Sequence, residues 1–219
     1  MPTNQPYELY TISGAPRPWR VALALVAKRL PFTPRILEAS QKQHKSPEFL
    51  ALNPRGRTPV LTRGDFVLTE SLAILAYLEQ AHPEPSLFSP DPVRVWEQVM
   101  ALDHDLREAS DAVNGPVFKS ADASSDAIRD GARRLLAELR RLDDRLASRP
   151  FVCGATITAA DCTAFPDVRL TLRACERAPD VMGRLGIHPM ADTAPHVRRW
   201  IDRVEALPGY EQTFPAHWR

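Results

Sequence analysis

Residues 53–61 read Asn53-Pro54-Arg55-Gly56-Arg57-Thr58-Pro59-Val60-Leu61. Pro54 and Gly56 break the chain, and Pro59 then opens a short apolar run, where a residue without a backbone N–H belongs at the start of a strand. A cis bond before Pro59 is one geometry open to this turn. In that geometry the Thr58 N–H and C=O point outward, where they could pair with the extended backbone of a peptide-like ligand.

A second motif, Thr69-Glu70-Ser71-Leu72, begins an apolar helical pattern ten residues after Pro59. The first turn of a helix has free N–H groups and the positive end of the helix dipole, which together hold a carboxylate. The Glu70 carboxylate can hold an ammonium group at the same place. An amino-acid head group suits both features.

The two motifs, N-P-x-x-x-x-P-x-L and E-S-x-A-I-x-x-Y-L, resemble those of the glutathione S-transferase family. The resemblance implies that Arg57, Thr58 and Pro59 bind the cysteinyl part of glutathione. It also implies that Glu70 and Ser71 bind the γ-glutamyl end. The expected protein is a homodimeric transferase of detoxification that uses glutathione on a small electrophile.

Composition excludes several other classes of protein. Lys plus Arg number 28 against 27 Asp plus Glu, which gives a net charge of +1 and favours neither nucleic acid nor membrane as a partner. Cys153, Cys162 and Cys175 are odd in number and lack a C-x-x-C spacing, so we expect no disulfide framework and no metal site. A reducing cytoplasm fits this pattern, and no apolar run is long enough to span a bilayer.

The first part of the chain predicts the element order βαβ–α–ββα. Pro34 places the second strand at a sheet edge. Residues 1–82 are therefore predicted to form a thioredoxin-like α/β domain, followed by a proline-rich linker at 83–92. The predicted strands are Tyr7–Ile12, Phe32–Leu37, Val60–Thr62 and Phe66–Thr69, and the predicted helices are Trp19–Leu30, Ser46–Leu52 and Leu72–Gln80.

Residues 93–219 are predicted to form an all-α helical-bundle domain. Apolar residues recur with a 4-3-4-3-4 spacing over 95–113 and again over 128–146, which predicts two long antiparallel helices. A buried central helix is expected over 159–174 and an amphipathic one over 197–207. Thr158 and Asp161 have the form of a capping box, so we assign Asp161 to structure rather than catalysis. The surrounding motif also resembles the helix-initiating motif of the family's helical domain.

The sequence leaves open which residue activates the thiol of glutathione. The resemblance to the tau and zeta classes places the customary Ser or Cys at Ala15. Ser13 is the leading catalytic candidate, since a shift of the loop would bring its hydroxyl to the sulfur. Tyr10, the N–H groups at the start of the first helix, and the positive charge of Arg17 are the alternatives. Arg17 is counted with the glutathione-binding residues.

The expectations for the glycine end of glutathione and for the second substrate rest on the resemblance. His44 is expected to reach the glycine carboxylate of glutathione, as a residue in this loop does in the theta and zeta classes. The second substrate is expected beside the first long helix. Isomerisation of the zeta (maleylacetoacetate isomerase) type, and glutathione or ligand binding without turnover, remain alternative functions. The expected lining of the second-substrate site is Leu106, Ser110, Val113 and Asn114.

Overall fold

The structure is a computed structural model that describes residues 5–121 and 123–218. The chain divides into two compact units, one made of Met1–Leu87 with Leu207–Arg219 and the other of Phe88–Ala206. The predicted boundaries, 1–82 and 93–219 with a linker at 83–92, differ from this division. Residues 83–87 and the C-terminal residues from 207 onward belong to the first unit, and residues 88–92 belong to the second.

The first unit is a thioredoxin-like domain built on a four-stranded mixed sheet. The strand order is β2-β1-β3-β4, with β1 and β2 parallel and the other pairs antiparallel. β2 lies at the edge, as Pro34 requires. The strands are β1 Tyr7–Thr11, β2 Phe32–Ile36, β3 Val60–Arg63 and β4 Phe66–Thr69, and the helices are α1 Pro16–Ala27, α2 Pro47–Leu52 and α3 Ser71–Ala81.

The register of the sheet gathers three connecting segments at one end. Tyr10 pairs with Val60, and Val60 pairs with Thr69. The chain leaving β1, the chain entering β3 and the chain leaving β4 therefore meet at the same sheet end. Both sequence motifs and the start of α1 lie there, because neighbouring antiparallel strands run in opposite directions.

A buried lysine explains why the chain beyond α3 belongs to the first unit. Lys28, just after α1, is 2% exposed, and its Nζ lies 2.6 Å from Glu79 Oε2. The same ammonium donates to the carbonyl oxygens of His82 and Pro85 at 2.7 and 3.0 Å. Glu79 in turn accepts from the Leu87 N–H at 3.0 Å. This network fixes residues 82–87, and residues 83–87 fall within the proline-rich stretch 83–92 that was predicted to be a linker.

The C-terminal segment, defined here as residues 207–218, packs its aromatic rings on α1. Trp19 of α1 contacts Phe214 and Trp218 edge-on, with ring centroids 6.4 and 5.4 Å apart. The Trp19 indole also donates to Thr213 Oγ1 at 3.0 Å. These contacts explain why the segment belongs to the α/β unit rather than to the predicted helical domain.

The second unit is helical, as predicted. The seam over 95–113 is interrupted by a π-helical stretch, Leu102–Leu106, yet its apolar positions are buried. Two short helices within residues 179–193 occupy a region for which the sequence predicted no helix. The helices are α4 Pro92–Ala101, α5 Arg107–Phe118, α6 Asp126–Leu146, α7 Ala159–Arg177, α8 Pro179–Arg184, α9 Met190–Thr193 and α10 Pro195–Glu205.

The predicted capping box at the start of α7 is present. Thr158 caps the helix, and its N–H donates to Asp161 Oδ2 at 2.9 Å. Asp161 also accepts from the Val152 N–H and the Trp200 indole, both at 2.9 Å. Burial raises the pKa of the Asp161 carboxyl, while the donated hydrogen bonds oppose that rise. The carboxylate is thus used in holding α7 to its neighbours.

Candidate functional site

The loop before β3 presents an unpaired piece of backbone. The Thr58–Pro59 bond is cis, as the turn allowed. Thr58 is half-buried, and within residues 5–121 and 123–218 nothing hydrogen-bonds to its backbone N–H or C=O. A backbone amide left unpaired beside a sheet can pair with an extended ligand.

Asn53 holds this loop from beneath. It is 5% exposed, its amide donates to the Arg57 carbonyl at 2.6 Å, and its Oδ1 accepts from the Arg55 N–H at 3.1 Å. Sequence reasoning treated Asn53 only as part of the motif. Its position before a Pro-x-Gly turn was the available signal, since Asn side chains commonly bond the backbone of a turn two residues on.

The start of α3 is an open helix N-terminus. Glu70 is its N-cap, with φ of +67° and no side-chain hydrogen bond to the helix. The first N–H groups of α3 therefore lack a capping side chain and keep their affinity for an anion. The Glu70 carboxylate lies 3.0 Å from Arg55 Nη1, and both side chains are exposed. An exposed ion pair of this kind contributes about 0–1 kcal/mol, so a ligand ammonium can replace it at little cost.

Ser71, the other half of the motif, is backed by a buried arginine. Ser71 is 5% exposed, and its Oγ accepts from Arg20 Nη1 at 3.2 Å. Arg20, on α1, is 1% exposed. Because a guanidinium can only donate, the Ser71 hydroxyl keeps its own proton for another acceptor. No local pattern in the sequence marked Arg20 as the partner of Ser71.

The start of α1 offers fewer donors than the sequence suggested. Ala15 is the N-cap, and α1 begins at Pro16. Pro16 and Pro18 have no N–H, and the Trp19 N–H is bonded to the Ala15 carbonyl at 3.2 Å. Arg17 therefore supplies the one free N–H of residues 16–19, and its side chain is exposed.

Ser13, the leading catalytic candidate, lies in the turn between β1 and α1 and is half-buried. Its Oγ is 3.1 Å from Nδ1 of His217 in the C-terminal segment. Tyr10 points elsewhere, with its ring 5.9 Å from that of Phe49 on α2. Of these two side chains, Tyr10 is thus engaged in packing on the α2 side of the sheet.

His44 is attached to the loop before β3 through its neighbour. His44 lies in a short 3-10 helix, Gln43–Lys45. Lys45 Nζ donates to the carbonyl oxygens of Arg55 and Gly56 at 3.2 and 3.0 Å. His44 Nδ1 is buried and has no hydrogen-bond partner among the described residues. His44 is thereby placed beside the motif.

Both halves of the chain match known protein families. The model of the glutathione S-transferase N-terminal domain matches residues 5–80, and the model of the C-terminal domain matches residues 122–203. The chain belongs to the glutathione S-transferase family. A maleylacetoacetate isomerase of Pseudomonas aeruginosa is 30% identical over 221 residues, covering 96% of each chain.

Two further glutathione S-transferases align along nearly the whole chain. Human glutathione S-transferase theta-1 is 29% identical over 214 residues, which cover 90% of this chain and 82% of the human one. The crystal structure of a glutathione S-transferase from the Antarctic clam Laternula elliptica has a TM-score of 0.78 at 29% identity. It covers 97% of this chain and 94% of its own.

The expected lining of a second-substrate site in the helical domain is wrong. The side chains of Leu106, Ser110, Val113 and Asn114 are all buried. Asn114 Nδ2 donates to Ser110 Oγ at 2.8 Å and to Thr171 Oγ1 at 3.0 Å. Leu106 and Val113 are members of the apolar 4-3-4-3-4 series, which was itself the sequence evidence for their burial. Ser110 and Asn114 lie outside that series and are buried by their hydrogen bonds to α7.

A cavity of about 220 Å³ lies inside the first unit, next to the turn that carries Ser13. One wall comes from residues 211–216 of the C-terminal segment, and apolar side chains of β1, α1 and β2 form much of the rest. The lining includes Leu9, Ser13, Gly14, Trp19, Phe32, Ile36 and Phe214.

The described residues contain no group of three or more His, Cys, Asp or Glu side chains placed to hold a metal ion. In the same part of the chain, no helix is both long and apolar enough to cross a membrane.

Proposed function

We propose that this member of the glutathione S-transferase family binds glutathione at the sheet end formed by residues 13–17, 53–59 and 69–72. It uses the thiolate of glutathione as a nucleophile on a small electrophile, which becomes joined to the tripeptide through the sulfur. The observation that carries the proposal is the uncapped start of α3, with Glu70 and the Arg20-backed Ser71 beside it. An α-amino acid head group supplies both the carboxylate and the ammonium that such a site binds.

The middle of the tripeptide is served by Thr58. Its unpaired backbone N–H and C=O match the C=O and N–H of the cysteinyl residue. Pro59 and Arg57 flank this edge, and Asn53 fixes its position from below. The cysteinyl sulfur then lies toward the turn that ends β1, since that turn meets the loop at the same sheet end.

The glycine carboxylate is served by the loop side of the site. His44 Nδ1 is a buried polar atom with no hydrogen-bond partner in residues 5–121 and 123–218, and it can donate even when the imidazole is neutral. Arg57 and Arg17 are exposed and add positive charge to the rim of the site. Each is a long-range attraction for an anionic tripeptide rather than a fixed contact.

Thiol activation falls to Ser13 and the start of α1. A free thiol has a pKa of about 8.5, so only a few per cent is thiolate at neutral pH. A hydroxyl that donates to the sulfur stabilises the thiolate and lowers that pKa. Ser13 is the hydroxyl at the end of β1, and the Arg17 N–H adds a second donor.

Titration calorimetry with glutathione tests the proposal. Wild-type protein is expected to bind, and glutathione at 100 times Kd should raise the free energy of unfolding by about 2.7 kcal/mol. Ser71→Ala and Glu70→Ala should weaken glutathione binding, yet leave binding of the dipeptide Cys-Gly, which lacks the γ-glutamyl head, unchanged. Equal losses for both ligands, or no binding by wild type, would rule out this placement of the head group.

Isomerisation of the maleylacetoacetate type is the second candidate reaction. The 30% identity with an isomerase of that name over 96% of the chain favours it. Binding without turnover is the third candidate, because Ala15 stands where the resemblance expects a hydroxyl or thiol. Assays with aromatic electrophiles and with maleylacetoacetate separate the two reactions, and glutathione binding without either activity identifies the third candidate.

We also propose a homodimer working in detoxification in the cytoplasm. Val93 and Met100, one heptad apart on α4, are 75% and 56% exposed and offer an apolar stripe to a second copy. Among the described residues, Cys153, Cys162 and Cys175 form no disulfide, which suits a reducing compartment. Light scattering should give twice the chain mass of 24.5 kDa at micromolar concentration.

A further inference from the structure

We propose that His217 is a positioning residue for Ser13, and that it directs the Ser13 hydroxyl proton toward the sulfur of glutathione. The inference rests on the proposed function, since it assigns a second residue to the same thiol. Its basis is the 3.1 Å contact between Ser13 Oγ and His217 Nδ1, two residues that are 204 positions apart in the sequence.

The contact between Ser13 and His217 is held by packing at the turn after β1 and by packing along the C-terminal segment. Trp218 lies against the turn after β1, where Gly14 has φ of +79°, and a Cβ on Gly14 would stand 3.3 Å from Trp218 Cζ2. Trp218 also meets Trp19 edge-on at 5.4 Å. A glycine at position 14 therefore permits the close approach that brings His217 to Ser13.

The packing extends back along the C-terminal segment. Phe214 is edge-on to Trp218, with centroids 6.0 Å apart, and Thr213 accepts from the Trp19 indole at 3.0 Å. These contacts anchor the segment to α1 on the residues that precede His217. The imidazole is exposed, but the backbone that carries it is anchored.

The direction of the hydrogen bond decides what Ser13 can do. A hydroxyl has one proton and two acceptor lone pairs, while a neutral imidazole nitrogen either donates or accepts. When His217 Nδ1–H donates, Ser13 accepts and its own proton is free for the sulfur. When Nδ1 accepts, that proton is consumed and the sulfur loses its donor.

A thiolate favours the productive arrangement. Its negative charge attracts the hydroxyl proton, because hydrogen bonds to an ionised acceptor are about twice as strong as neutral ones. His217 then adopts the tautomer that donates from Nδ1. No covalent bond to Ser13 or His217 forms or breaks, and the thiol proton leaves to water.

The start of α1 explains why the Ser13 hydroxyl is important as a donor to the thiolate. Pro16 and Pro18 remove two N–H groups that would otherwise face an anion there, and Ala15 brings no hydroxyl. With the Arg17 N–H as the remaining backbone donor of that turn, an oriented Ser13 hydroxyl is the main way to stabilise the thiolate.

A double-mutant cycle on the full chain tests the inference. His217→Phe keeps a ring but removes the donor, whereas His217→Asn keeps an N–H near the position of Nδ1. We expect His217→Phe to lower kcat/KM for a generic aromatic electrophile about 3- to 10-fold through kcat, with an unchanged KM for glutathione. The pKa of the bound thiol, followed by the ultraviolet absorbance of the thiolate, should rise. His217→Asn should stay within about twofold of wild type.

The Ser13→Ala background separates positioning from packing. There, His217→Phe should change kcat less than about twofold and leave the bound-thiol pKa nearly unchanged, because the residue through which it acts is gone. An equal loss in both backgrounds, no loss at all, or a gain of activity in His217→Phe alone would overturn the inference, the gain showing that His217 withholds the proton. If Ser13→Ala leaves wild-type rate and thiol pKa unchanged, the role proposed for Ser13 fails first and the inference fails with it.

Discussion

Two helices begin at the same end of the sheet and are prepared for an anion to very different degrees. α3 begins at Ser71 with its N–H groups uncapped, and Ser71 is backed by the buried guanidinium of Arg20. α1 begins at Pro16 after Ala15, with proline again at position 18. The hydroxyl nearest that start is Ser13, which is backed by the exposed His217.

The difference lies in how firmly each hydroxyl proton is directed. Arg20 can only donate, so the Ser71 proton faces away from it in every protonation state of the protein near neutral pH. His217 can donate or accept, so the direction of the Ser13 proton depends on what else is bound. We infer that the α3 start is already arranged for its ligand group before glutathione binds. The Ser13 proton at the α1 start is oriented only when glutathione is bound.

Replacing Arg20 should have the largest effect. Arg20→Met removes a buried donor from Ser71, so we expect the free energy of unfolding to fall by about 2–3 kcal/mol. Glutathione should bind about tenfold more weakly, because the Ser71 proton is no longer directed. Urea denaturation and calorimetry measure the two quantities. Arg20→Lys is the matched control, since it keeps the charge but loses the fixed fork, and full affinity in Arg20→Met would refute the role of Arg20.

Removing the Ser13 hydroxyl should act on rate rather than on binding. Ser13→Ala is expected to lower kcat/KM by 10–100-fold, about 1.4–2.7 kcal/mol, with glutathione affinity nearly intact. The contrast with Ser71→Ala, which should lose affinity, tests whether the two helix starts divide these tasks. Tyr10→Phe should behave like wild type because its ring packs on Phe49. A full rate in Ser13→Ala would leave Ser13 as a turn residue.

The sequence predicted the fold because the fold depends on patterns that are local in the chain. Strand alternation, the Pro59 strand start and the two apolar series with 4-3-4-3-4 spacing each lie within one segment. The sequence motifs of both domains agree with them. The stretch predicted to be a linker, 83–92, shows the opposite case. Residues 82–87 are held by Lys28 and Glu79, and no local pattern shows that a lysine will be buried under a distant turn.

The candidate site was predictable only where its residues are adjacent. The Thr58–Pro59 and Glu70–Ser71 motifs were found from the sequence, but their supports were not. Arg20 reaches Ser71 across 51 positions, and the C-terminal segment reaches Ser13 across 204. Such contacts depend on how the elements pack, and a single sequence gives no direct measure of that packing.

Restoring a hydroxyl at the start of α1 should reduce the difference between the two helix starts. Ala15→Ser places an acceptor and donor at the N-cap, which favours the helix and adds a second hydroxyl near the sulfur. We expect kcat/KM to rise about 3- to 10-fold. Measured in the Ser13→Ala background, the same substitution should recover part of the lost rate. No gain in either background would mean that the α1 start lies too far from the sulfur for an N-cap hydroxyl to help.

The smallest effect concerns the backbone at the other helix start. Glu70 has φ of +67°, a conformation that costs a non-glycine residue about 1–3 kcal/mol. Glu70→Gly relieves that cost but gives the unfolded chain about 0.5–1 kcal/mol of extra freedom, whereas Glu70→Ala keeps the strain. Glu70→Gly should therefore be more stable than Glu70→Ala by about 1 kcal/mol in urea denaturation.

The two Glu70 variants lose the same carboxylate, so they separate the ammonium contact from the strained backbone. If the geometry at position 70 is held by the fold, both should bind glutathione with equally reduced affinity. If Glu70→Gly binds more weakly than Glu70→Ala, the side chain at this position also keeps the first N–H groups of α3 in place. The α3 start would then need its side chain as well as Arg20 to stay prepared for the ligand, which would bring it closer in character to the start of α1.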